Sequence, residues 1–126
     1  MSKLDKEKPK YYEQMAYEPI DFMYNAKLNI YTAKVFKYLV RYPFKHRDRT
    51  IDLKKALYTI EKFKDKLYIS DYNNLEKNLK QFVRMNQNLI HEKHFLVIHS
   101  FFIAVFNNRI DDFLKILKRT IKEEEK

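Results

Sequence analysis

Cysteine and glycine are both missing from this 126-residue chain, and each absence closes off a class of chemistry. Without cysteine there is no disulfide framework and no thiolate nucleophile, a usage that suits a reducing compartment. Without glycine neither a Walker A loop nor a dinucleotide-binding turn can be built, because both need backbone positions that bulkier residues do not reach. No apolar run of roughly eighteen residues occurs, and the opening MSKLDKEKPK has no apolar stretch of the kind that directs export. A cytoplasmic protein without a membrane partner is therefore expected. No His-Glu-x-x-His pattern is present either, so no metal site and no cofactor are expected, and no Ser or Thr stands in a context that marks a nucleophile; the catalytic residues, if there are any, are unknown.

What is present argues for folding. Hydrophobic residues make up 45% of the chain, with ten Phe and ten Tyr, enough to bury a real core in one domain of this length. Residues 1–10 alternate charge around Pro9 and read as a mobile tail; residues 11–126 read as a single helical domain, a basic part over 11–66 and an apolar scaffold over 67–126. The net charge of +9 is concentrated: residues 31–66 carry +7 and the rest of the chain +2. A balance of this sign favours anionic partners.

The charge sits on a pair of helices. At about 100° per residue, Val35, Phe36, Leu39 and Val40 share one side of the first helix, while Lys34, Lys37, Tyr38 and Arg41 share the other. A lysine-rich solvated face is the plain reading. Against it, no acid joins these positions to form the usual i,i+4 pairs, so like charges repel until an anion relieves them. Pro43 ends this helix. A basic turn follows, and Thr50 is the expected N-cap of a second helix whose first turn holds Asp52. Leu53, Ala56, Leu57, Ile60 and Phe63 form its apolar stripe. A helix N-terminus beside Lys45, Arg47 and Arg49 is a second reason to expect an anion here, because free backbone N–H groups add to the basic side chains.

The ordered segments YEPIDFM (17–23), KVFKYLVRYPFK (34–45) and IDLKKALYTI (51–60) together resemble a small phage-encoded helical domain of unknown function that also occurs in the nucleotide kinase of T7-like phages. The likeness covers about residues 11–63. It places Lys37, Tyr38, Arg41 and Lys45 on the family's basic positions, and Asp52, Leu53, Lys55 and Ala56 on its second helix motif. Tyr11 stands where a histidine is usual and Ile51 where an acid is usual, so the resemblance implies a phosphate-binding face more than a retained catalytic set. The candidate ligand residues are thus Lys34, Lys37, Tyr38, Arg41, Lys45, Arg47 and Lys55, with Tyr11 and Tyr12 as candidates for stacking on a base.

Further along, the pattern predicts a short helix over 19–26 with Ile20, Met23 and Tyr24 on one side, and a long helix capped by Ser70 with Tyr72, Leu75, Leu79, Phe82 and Val83 inward. It then predicts a buried central helix over Phe95–Phe106 and a last amphipathic helix through Ile110, Phe113, Leu114, Leu117 and Ile121. The expected fold is all-α, a compact bundle of about five helices built from two helical hairpins. His91, His94 and His99 read as structural. The expected partner is a nucleotide or another phosphate-bearing anion, bound and sequestered or acted on as by a kinase. The alternatives are a phage inhibitor that docks on a host protein and a nucleic-acid binder. The aromatic excess suggests a homo-oligomer.

Overall fold

A computed structural model describes residues 14–126; the tail expected over 1–10, together with Tyr11 and Tyr12, lies outside the described residues. Within them the chain forms six α-helices and no strand: α1 (Pro19–Asn25), α2 (Ile30–Arg41), α3 (Thr50–Lys62), α4 (Tyr72–Met85), α5 (Glu92–Phe106) and α6 (Ile110–Glu124), with a 3-10 turn at Lys64–Lys66. The short helix expected over 19–26 is the seven-residue α1, which starts at Pro19 because proline's missing N–H costs nothing at the first helical position; counted with the others it makes six helices where about five were expected.

Two caps differ from expectation. Asp71, not Ser70, caps α4, its carboxylate accepting from the Asn74 N–H at 3.0 Å. Thr50 is already helical, and Asp48 satisfies it instead, accepting from the Thr50 N–H at 2.9 Å and the Thr50 hydroxyl at 2.7 Å. In both places a carboxylate stands at the positive end of the helix, where its charge adds to the hydrogen bond.

The absence of glycine shows at two helix C-termini. Lys27 and Asn108 take the left-handed conformation there, with φ of 55° and 56°. The Leu28 N–H donates back to the Met23 carbonyl and the Arg109 N–H to the Ala104 carbonyl, so orphan carbonyls of α1 and α5 are satisfied although neither turn has glycine.

The helices pack as two hairpins. α2 lies on α3 and α5 on α6; between hairpins, α3 meets α6 and α2 meets α5, while α1 lies against α4 and α2. At the centre four phenylalanines from four helices touch: Phe22, Phe36, Phe82 and Phe102, with ring centroids 4.6–5.9 Å apart. Tilted, edge and offset-stacked contacts of this kind are favoured aromatic arrangements. This cluster explains why α1 faces inward through Phe22 and not through Ile20 and Tyr24, which are exposed; a helix under two turns long has too little periodicity to show its inner side. On α5 the inner residues Val97, Ile98, Phe101, Phe102 and Ala104 are buried as expected, but the helix is not covered all round: Leu96, Ile103 and Phe106 are 50%, 38% and 52% exposed.

Polar links tie the frame. Asn86, fully buried after α4, donates to the Tyr17 carbonyl at 2.8 Å and accepts from its N–H at 3.3 Å, pinning the approach to α1. His94 of α5 donates through Nε2 to the Leu39 carbonyl of α2 at 2.8 Å, crossing from one hairpin to the other. Among the described residues no helix is long and apolar enough to cross a membrane.

Candidate anion-binding site

The basic face is built on α2 and α3. Their apolar stripes, Val35, Phe36, Leu39 and Val40 on one and Leu53, Ala56 and Ile60 on the other, are fully buried. Antiparallel packing of those stripes leaves the two polar faces side by side. Tyr38 sits between them. The Lys37 and Lys55 ammonium groups each lie 5.9 Å from its ring centroid and the Arg41 guanidinium 5.6 Å, so cations from both helices gather on one aromatic ring.

These charges sense one another. The Lys37 ammonium is held below the usual lysine range, first by burial and then by Arg41, Lys34 and Lys45, with Asp52 opposing. Lys45, reaching in from the loop, is lowered by burial and then by Arg41, with Lys55 adding to the effect and Asp52 again opposing. Lys34, Lys37, Tyr38, Arg41, Lys45 and Lys55 are thus brought together as one patch. Arg47 stays exposed on the connecting loop. Beside the patch, Lys34, Tyr38, Lys54, Lys55, Tyr58, Thr59, Lys62 and Phe63 line an open groove of about 460 Å³ with no acid among them, although Lys54 also reaches Glu125 at the C-terminal end of α6 at 3.5 Å. Sequence reasoning missed Lys54, Tyr58 and Lys62 as site residues. Their i,i+4 spacing on the side of α3 away from its apolar stripe is the signal that could have found them.

Arg41 differs from the surface cation the helical pattern suggests. It is largely buried, and its Nη2 lies 3.4 Å from Oδ1 of Asp52, whose side chain is wholly buried. Asp52 is therefore more than a charge near a helix dipole. It is the acid under the basic face, eleven residues from Arg41 and brought to it by hairpin packing that no single-helix pattern contains. Nε2 of His46 lies 4.0 Å from the other carboxylate oxygen, Oδ2. Three atoms in this cluster are buried without a hydrogen-bond partner: Arg41 Nε, His46 Nε2 and Asp52 Oδ2.

The start of α3 is less open to an anion than expected, because Asp48 takes the Thr50 N–H and Arg49 turns away to Glu124 at 3.2 Å and to the ring of Tyr42. Tyr17, another aromatic near the chain start, is buried. A larger open cavity of about 700 Å³ lies between α3 and α6, but it is lined by both signs, with Lys64 paired to Asp111 and Arg109 to Asp112, and selects for neither. Among the described residues no three His, Cys, Asp or Glu side chains gather so that they could hold a metal ion.

Comparison with known proteins leaves the reading to the geometry: no family model, no curated protein and no solved structure matches the chain.

Proposed function

We propose that this protein binds a phosphate-bearing nucleotide on the face shared by α2 and α3, in the cytoplasm of a phage-infected cell as the sequence resemblance implies. One observation carries the reading: cations from α2 and α3 converge around Tyr38, Lys45 of the loop between them is coupled to Arg41 and Lys55, and the acid coupled to them, Asp52, is buried. Like charges held this close are costly without a counter-charge, and a phosphate oxygen accepting from several of them removes that cost. Tyr58, 62% exposed among Lys54, Lys55 and Lys62, offers a ring on which a base can stack. The proposed role is binding and sequestration. Phosphoryl transfer asks for positioned positive charge and for carboxylates on a magnesium ion, whereas Asp52, the acid at this face, is already engaged by Arg41.

A nucleic-acid strand is the second reading, favoured by the openness of the groove and by the run from Lys54 to Lys62, which follows α3 for about 12 Å. Calorimetric titration with mononucleotides, a single-stranded oligonucleotide and a short duplex, each at two salt concentrations, separates the two. A mononucleotide site keeps its affinity for the small ligand; a strand site needs the oligonucleotide and shows the steeper salt dependence. Lys37→Ala is expected to weaken binding about tenfold or more, the scale of one charge-assisted hydrogen bond, and Lys118→Ala on α6 to leave it intact. Equal binding by both variants would place the site elsewhere, and no binding by the native chain would refute the proposal.

A further inference from the structure

The Arg41–Asp52–His46 cluster is unfinished in a particular way. Asp52 has two carboxylate oxygens and two basic side chains beside it, but only Oδ1 is engaged, at the long distance of 3.4 Å; Oδ2 and His46 Nε2 face each other across 4.0 Å with neither hydrogen bonded. Buried polar atoms left unpaired are costly, and a shift of roughly 1 Å by the partly exposed His46 would turn this gap into a charge-assisted hydrogen bond of ordinary length. An imidazolium at Oδ2 would share the single negative charge of Asp52 and repel the guanidinium on Oδ1, which weakens the hold on Arg41. Arg41 also borders the patch, 5.6 Å from the Tyr38 ring and coupled to Lys37 and Lys45.

We infer that His46 and Asp52 form a proton-operated latch on Arg41: with His46 neutral, Asp52 retains the guanidinium, and with His46 protonated, the imidazolium takes Oδ2 and releases Arg41 to a bound phosphate or sulfate group. This rests on the reading of the face as an anion site and makes Asp52 and His46 positioning residues that act through Arg41. The surroundings leave His46 as the group to operate it. Asp48, two residues on, is engaged with Thr50 and also senses the charge of His46, and Lys45 and Arg47 flank that histidine in the chain. From α6, Glu124 is held by Arg49 and Lys93, and from α5 His94 is turned to Leu39. Imidazole is the side chain that ordinarily changes charge between about pH 5 and 8.

The probe is inorganic sulfate, whose charge stays constant over that range, titrated into the full chain at about pH 5.5 and about pH 8 and followed by NMR of the backbone amides and of the Arg41 Nε–H. Native protein is expected to bind sulfate about fivefold more tightly, or better, at the acid pH, with the Arg41 Nε–H signal moving on acidification before any sulfate is added. His46→Gln should hold the weaker affinity at both pH values and lose the Arg41 shift. Asp52→Asn, which removes the retaining charge, should bind at both values at least as tightly as the acid form; should that variant not fold, His46→Gln carries the test alone. Full pH dependence in His46→Gln, or one affinity at both pH values in the native chain, overturns the latch and leaves the binding face standing. Sulfate bound at neither pH overturns both.

Discussion

The two hairpins share a plan and differ in what they show to solvent. In α2–α3 and in α5–α6 an apolar helix is followed by a turn and a second helix ending in Thr-Ile or shortly after it, and the first helices pack on each other as the second ones do. Outside, they part. α2 presents Lys34 and Lys37 where α5 presents Leu96, Ile103 and Phe106, and the connecting loop of the first hairpin supplies Lys45 and His46 where the second makes a tight turn through Asn108. The buried side of a hairpin sets how it packs; the exposed side is left free, and the basic face lies on the hairpin with the longer loop.

The sharpest way to break that division is to put a charge on its buried side. Phe102→Asp is expected to abolish cooperative folding, costing about 4 kcal/mol or more, because Phe102 is fully buried against the rings of Phe22, Phe36 and Phe101, where a carboxylate is stripped of water. Phe106→Asp, four residues on and half exposed, should cost about 1 kcal/mol, the scale of its lost ring contact with Tyr72. Thermal unfolding followed by circular dichroism reads both, and equal losses would mean that α5 has no outer side.

Arg41→Ala comes next, at about 3 kcal/mol of stability, since it strands the buried Asp52 carboxylate. Treating Arg41 as a surface residue, as the helical pattern does, predicts almost no change. Lys37→Ala on the same helix should move stability by no more than about 0.5 kcal/mol. Urea midpoints for the two variants decide whether α2 carries one kind of cation or two.

The contact between hairpins has its own pH signature. Burial holds the His94 imidazole at about 4, well below its ordinary value of 6.5, although its hydrogen bonds to the backbone of α2 pull the other way. A carbonyl only accepts, so Nε2 carries the proton and the buried Nδ1 stays bare. The folded state therefore refuses a proton that the unfolded chain takes up. Stability is full above about pH 6.5 and falls as pH drops towards about 4, losing on the order of 3 kcal/mol over that window. Asp48, held below its ordinary value by the Thr50 hydrogen bonds, gives up its contribution only at still lower pH. His94→Gln, neutral throughout, should flatten the slope between about pH 6.5 and 4.5. An unchanged slope would shift the cause to other groups.

Much of this was legible in the chain. Val35, Phe36, Leu39 and Val40 announce their side at helical spacing, and all four are fully buried; Leu75, Leu79 and Phe82 do the same for α4. Patterns of this kind fail where tertiary contact decides. Phe22 enters the core from a helix too short to show a period, and Met85, a natural extension of the α4 stripe, is left 39% exposed where the helix ends. At the candidate site, the lysines of α2 could be grouped because one helix groups them. Asp52 could not be joined to Arg41 and His46, nor Tyr58 to Tyr38, without knowing how α3 lies on α2.

The gentlest test asks whether the second hairpin's outer face is the uncharged surface on which copies of this chain meet, the homo-oligomer that its aromatic content led us to expect. Leu96 and Ile103 stand seven residues apart on one line of α5, with His99 and Ser100 between them, and Ile103 also borders an open groove of about 640 Å³ shared with Phe113 and Ile116. A chain with a net charge of +9 repels its copies wherever lysine dominates the surface, so association is easiest where charge is lowest. Replacing both Leu96 and Ile103 with Lys adds charge there without entering the core, and should change stability by no more than about 0.5 kcal/mol per site. It should leave anion binding on α2–α3 as it was. Light scattering of the native chain at high micromolar concentration is expected to give a mass above one chain, and the double variant a mass of one. A native chain that stays single under those conditions removes the self-association expectation, and an assembly that survives the two lysines moves its interface off α5.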